Sequence, residues 1–126
     1  MAEMPTPERI SALKSQFPDR VLKLIEAVDG KDGDEVVLNL VMTGPTRDEY
    51  NFYVEKMIKA KETKDAGDRV KAMRAVVEAA ALAQIRWPER EEVKKEFESR
   101  PQMVDSFSDT IDQLSGGQIE LRAKNL

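Results

Sequence analysis

Three stretches of the chain carry residue types that could do chemistry. Asp29, Asp32 and Asp34, interleaved with Gly30 and Gly33, suggest a carboxylate cage for a calcium ion. Such a loop needs alternating acids, then a glycine, then a closing glutamate at fixed spacing, and counting from Asp29 or Asp32 does not line these up. Asp and Gly are also what a reversing turn needs, so the stretch reads as a turn. Gly44, Pro45 and Thr46 stand at a helix start, where backbone N–H groups can hold an anion. The glycine–lysine ending of a phosphate-binding loop is missing there, and a capping role accounts for the residues. Lys56, Lys59, Lys61 and Lys64 could face nucleic acid. A solvated face complementing the negative end of a helix is the simpler reading in an acidic chain.

Composition removes whole classes of activity. The 126 residues include no histidine and no cysteine. Zinc and transition-metal sites rest on imidazole and thiolate ligands, and nucleophilic triads need an imidazole base or a thiol. No catalytic, cofactor or metal site is therefore expected, and the chain reads as a non-enzymatic binding protein. With 24 acids against 20 bases, the formal charge is −4, opposite to the basic excess that displaces counterions from nucleic acid. No apolar run approaches the roughly 20 residues of a membrane helix. Residues 1–15 lack a basic end followed by an apolar stretch, so a cytoplasmic location is expected.

The elements follow from periodicity and punctuation. One domain is expected, mostly helical and of α+β class: an N-terminal helix, a two-stranded antiparallel hairpin, then a bundle of three to four helices. The first helix spans 6–17, capped by Thr6, with Ile10, Leu13 and Phe17 at helical spacing. The hairpin spans 21–43, its strands at 21–28 and 35–43, although a helix competes for 19–28. Val36, Val37, Val41 and Thr43 make the second strand the firmer one.

The bundle spans 46–116. Thr46 and Glu49 form a capping box, each side chain accepting from the other's backbone N–H. Tyr50, Tyr53, Val54, Met57 and Ile58 follow as an apolar stripe. Asp68 is expected to cap the next helix, a small-residue-rich one closed by Trp87 and Pro88. Pro88 opens a surface helix whose apolar residues are Val93 and Phe97. Pro101 opens the last, which carries Val104, Phe107, Ile111 and Leu114 on one side and ends at Gly116. That stripe reads as core or, alternatively, as a docking face in which Phe107, Ile111 and Leu114 meet a partner helix. Tyr53 and Met57, with the hairpin, are the alternative surface. Residues 117–126 are expected to fray.

The order of these segments resembles the small tail assembly chaperones of long-tailed bacteriophages and prophages. The resemblance rests on the strand leading into Pro45-Thr46-Arg47-Asp48-Glu49-Tyr50, the later Tyr53, Trp87-Pro88 after a small-residue helix, Arg100-Pro101, and Leu114-Ser115-Gly116-Gly117. It implies a protein of the host cytoplasm that binds the tape measure protein, and with it the tail tube protein, while the tube polymerises. It also implies absence from the finished particle and, in some members, a longer frameshifted form. Two other readings stand beside it: a structural virion protein such as a tail completion or connector subunit, and an acidic regulatory binding module.

The capping box makes a direct expectation. Thr46→Ala should cost about 1 kcal/mol in denaturant melts, and Asp48→Ala should cost less. Equal losses would place the helix start elsewhere.

Overall fold

The computed structural model describes residues 2–116 and 121–125. Helix α1 (Pro7–Gln16) leads into strand β1 (Leu22–Asp29), a single 3-10 turn at Gly30–Asp32, and strand β2 (Glu35–Thr43). Helices α2 (Arg47–Lys61) and α3 (Ala66–Gln84) follow, then strand β3 (Ile85–Trp87) and helices α4 (Arg90–Ser99), α5 (Gln102–Asp105) and α6 (Phe107–Leu114). The mostly helical α+β architecture is as the sequence implies. Of the segment 117–126, residues 117–120 and 126 lie outside the described residues, and 121–125 form no helix or strand.

The hairpin is antiparallel, Leu22 opposite Thr43 and Ile25 opposite Leu40, which removes the competing helix over 19–28. Its loop uses Asp29 and Asp34 for geometry. Asp29 Oδ1 accepts from the Lys31 N–H at 2.9 Å, and Gly33 and Asp34 turn the chain with φ of 73° and 64°. Left-handed backbone of this kind suits Gly and tolerates Asp.

A third strand, not anticipated, joins the sheet. Ile85–Trp87 leave α3 and pair antiparallel with β2, giving the order β1-β2-β3. The small-residue helix therefore ends at Gln84 rather than at Trp87-Pro88, since a β-branched residue beside a free sheet edge gains more from the ladder than from another helical turn. The Trp87–Pro88 peptide bond is cis. Three further boundaries differ. Asp65, not Asp68, caps α3, its Oδ1 accepting from the Asp68 N–H at 2.9 Å. Helix α4 starts at Arg90, after Pro88 and Glu89. The expected last helix is two, divided at Ser106, whose N–H tightens onto the Met103 carbonyl at 3.2 Å.

The sheet is covered on both faces. Leu40 and Met42 point into the main core with Val77, Ala81, Val93, Phe97, Val104, Phe107 and Leu114. Phe97 and Phe107 meet edge to face, ring centres 5.5 Å apart, a preferred aromatic geometry. On the opposite face of β2, Asn39 and Val41 are buried, and Asn39 donates to the Glu3 carbonyl at 3.1 Å. The segment before α1 thus lies across that face. Leu24 and Val28, on outermost β1, stay exposed.

Gly44 joins sheet and bundle. Its N–H donates to Val21 O at 2.8 Å, and a Cβ placed on it would stand 2.6 Å from the Leu114 carbonyl oxygen. Gly116, with φ of 93°, then ends α6 in the left-handed form that the sequence leads one to expect. Gly44→Ala should therefore destabilise by about 1–3 kcal/mol, because backbone must move. Gly30→Ala meets nothing within 4 Å and should change stability by less than about 0.5 kcal/mol. Urea melts of the two variants check the contrast.

Candidate functional site

The site is built on a polar cluster where five segments meet. Arg20, between α1 and β1, donates twice to the Gly44 carbonyl, from Nε at 2.9 Å and Nη2 at 2.7 Å. Its Nη2 also reaches Glu49 Oε1 at 2.9 Å and Gln84 Oε1 at 2.6 Å. Gln84, buried at the end of α3, donates to Glu49 Oε2 at 3.2 Å and accepts from the Thr43 hydroxyl at 3.0 Å. Arg86 Nε donates to that hydroxyl at 3.1 Å, and the Arg86 guanidinium stacks 4.3 Å from the centre of the Phe17 ring.

Glu49 serves twice. It closes the capping box, accepting from the Thr46 N–H at 2.9 Å while Thr46 Oγ1 accepts from the Glu49 N–H at 3.2 Å. It is also the anion of the cluster. Burial opposes its charge, but hydrogen bonds from Thr46 and Gln84, together with Arg20, hold the carboxyl below the ordinary glutamate range. Both its oxygens are engaged, so the cluster fixes elements rather than offering a free base.

That fixing sets α2 against α3 and leaves a groove of about 590 Å³ between them. Tyr50, Phe52 and Tyr53 of α2 form one wall, and Ala79 and Ala83 of α3 the other, with Ile111 of α6 also in the lining. Alanine is the strongest helix former and the smallest side chain that keeps a helix regular, so the run that makes α3 also hollows its surface. Phe52 is 60% exposed. Burial pushes the Tyr53 phenol upward, with help from Asp112 and Tyr50. The arrangement suits the apolar face of a helix.

A larger cleft of about 810 Å³ lies between β1 and the α4–α5 junction. Its walls carry Glu26, Asp29, Lys31 and Arg100. Ile25, Val28, Val37, Met103 and Phe107 also line it, but its surface is more polar than that of the α2–α3 groove, which we take as the candidate site.

The residues singled out from sequence are distributed as follows. Tyr53 lines the groove, and Met57 packs on the core. Phe107 and Leu114 lie within the core at 4% and 8% exposure, and Ile111, at 1%, lies against the groove. Ile58, placed on the apolar stripe of α2, is exposed. Thr46 and Glu49 form the capping box, while Trp87 pairs with Val41 and Pro88 is buried. Lys56, Lys59, Lys61 and Lys64 are all exposed. Arg20, Gln84 and Arg86 were not foreseen, because nothing local marks a contact that spans 64 residues. Phe52 had a signal: it is an aromatic off the apolar stripe of its helix.

Among the described residues no helix is long and apolar enough to cross a membrane. Compared with family models, curated proteins and solved structures, the chain matches none of them.

Glu49 gives the cluster a pH signature. Its folded pKa is lowered, so its contribution is complete at neutral pH and is lost as pH falls below the ordinary glutamate value, about 4.3, and through the folded one. Glu49→Gln should therefore melt below wild type at pH 7, with the gap narrowing in acid. A gap that is constant with pH would show that the charge is not what holds the cluster.

Proposed function

We propose that this protein is a tail assembly chaperone of a long-tailed bacteriophage or prophage, which binds the tape measure protein in the host cytoplasm and aids assembly of the tail tube around it. The observation that carries the reading is the α2–α3 groove, an apolar trough on a highly charged scaffold. Charged residues make up 35% of the chain, which favours solubility, while Phe52 remains exposed at the groove. From Ala75 to Gln84 the groove runs beside nine residue steps of α3, roughly 14 Å at helical rise. That length accepts about two and a half turns of a client helix.

A holding protein needs no chemistry of its own. It needs a surface that shields apolar client residues and releases them when the client finds its final partner. Alanines let a client backbone approach closely, and the aromatic wall supplies area at little entropic cost. The order of motifs from Thr46 to Gly117 supports the identification of the client as the tape measure protein.

The test is co-expression with a helical fragment of a tape measure protein from the same gene cluster. Wild type should co-purify with the fragment, and Phe52→Glu should lose it at least tenfold while its melting midpoint stays within the range of a surface substitution. A fragment that wild type does not hold, or that Phe52→Glu holds equally, removes the reading. Presence of the protein in purified mature particles would favour a structural virion subunit instead.

A further inference from the structure

The outer rim of the groove has an order along its length. On α2, Asp48, Phe52 and Lys56 stand one helical turn apart, all three exposed and all three lining the groove. They read acid, aromatic, base. On α3, Ala75, Ala79 and Ala83 stand at the same spacing, also exposed and also in the lining. Each row covers eight residue steps, about 12 Å. Lys56 Nζ lies 5.2 Å from the centre of the Phe52 ring, so the base already leans along the row.

We propose that this face docks on the same face of a second copy of the chain, antiparallel across a two-fold axis. In an isologous contact, residue i meets residue j and j meets i. Antiparallel docking brings Asp48 to Lys56 of the partner subunit and Lys56 to Asp48 of the partner subunit. The two Phe52 rings then meet at the two-fold axis, and the two alanine rows face each other beside them, where small side chains leave room for the rings. A parallel arrangement would set acid on acid and base on base. A rim of one sign would point to a partner of the opposite charge, whereas a rim with one charge of each sign at opposite ends is complementary to itself. The apolar contact supplies the attraction, and the exposed charges set its direction.

The dimer covers the groove. A helical client and a second copy then compete for one surface, so the chain stores its apolar face in the dimer and exposes it when a client arrives. Self-docking does not depend on the identity of the client, and the two readings are tested by different measurements.

The experiment is sedimentation equilibrium at low salt over a concentration series, on wild type, Asp48→Lys, Lys56→Asp, and an equimolar mixture of the two variants. Wild type should double its apparent mass as concentration rises. Each variant alone should need at least tenfold more protein to do so, because both ends of its contact then repel. The mixture should return to the wild-type dissociation constant, since every lysine then faces an aspartate. Circular dichroism melts report whether a variant keeps its fold, and Asp48→Asn replaces Asp48→Lys if the first turn of α2 frays. A wild type that stays monomeric throughout, or variants that dimerise as well as wild type, overturns the proposal. So does a mixture of folded variants that fails to pair.

Discussion

The guanidinium of Arg20 is the constraint on which the rest of the structure depends. It lies between α1 and β1, yet it bonds the last carbonyl of the β2 region, the capping carboxylate of α2 and the final side chain of α3. Planar donors in a fixed fork allow one residue to define three directions at once. Its neighbour Arg86 brings a second positive charge, and burial followed by repulsion from Arg20 lowers the Arg86 pKa, with Glu49 opposing. A single carboxylate faces two guanidiniums within the cluster. The face of Phe17 lies against both, its centre 5.6 Å from Arg20 and 4.3 Å from Arg86. A π face desolvated in this way is a favourable environment for a cation. Replacing a member leaves buried Thr43 or Gln84 under-bonded, which is why such networks rigidify a fold when fully satisfied.

The groove follows from that constraint and from a choice of small side chains. Ala81 and Val77 face the core from α3, while Ala75, Ala79 and Ala83 face out. One helix is thus small on both sides. On the inner side this lets α3 sit close to α5 and α6. On the outer side it removes the bulk that would normally fill the space beside α2. Gln84 tied to Glu49 adds a fixed point between two helices that also pack directly on each other below the trough.

Most of the framework could be read from sequence because its signals are local. Thr6 and Thr46 announce their helices through side chains three residues from their partners. Gly116 closes the last helix because only glycine takes its φ without cost. The hairpin declared itself through β-branched residues around an Asp/Gly turn. What stayed hidden was long-range. Ile85–Trp87 read as the end of a helix because three residues have no period of their own, and only the neighbouring β2 makes them a strand. Asp68 read as the cap of α3, but the helix starts one turn earlier, so Asp65 caps it and Asp68 supplies the N–H that Asp65 accepts. The stripe of Val104, Phe107, Ile111 and Leu114 could be read as core or as a docking face, and the structure buries all four. Tyr50, Tyr53 and Ile111 of the groove lay on the apolar stripes, but Phe52 and the outward alanines of α3 did not, since periodicity finds the buried face of a helix and says little about the other.

The close approach of Gly44 to the Leu114 carbonyl has a topological consequence. It pins the end of α6 against the turn that leads into α2, so Pro45, a groove residue, is next to the pinned point on one side, and Ile111 is three residues before it on the other. The C-terminal end of α6 is therefore held at the Pro45 end of the groove. A tether of a few residues holds its cargo at an effective concentration in the millimolar range. A weak binding motif joined at that point would engage the groove, or anything seated in it, as though it were strong, and the same motif attached at the α2–α3 turn would begin at the opposite end of the trough.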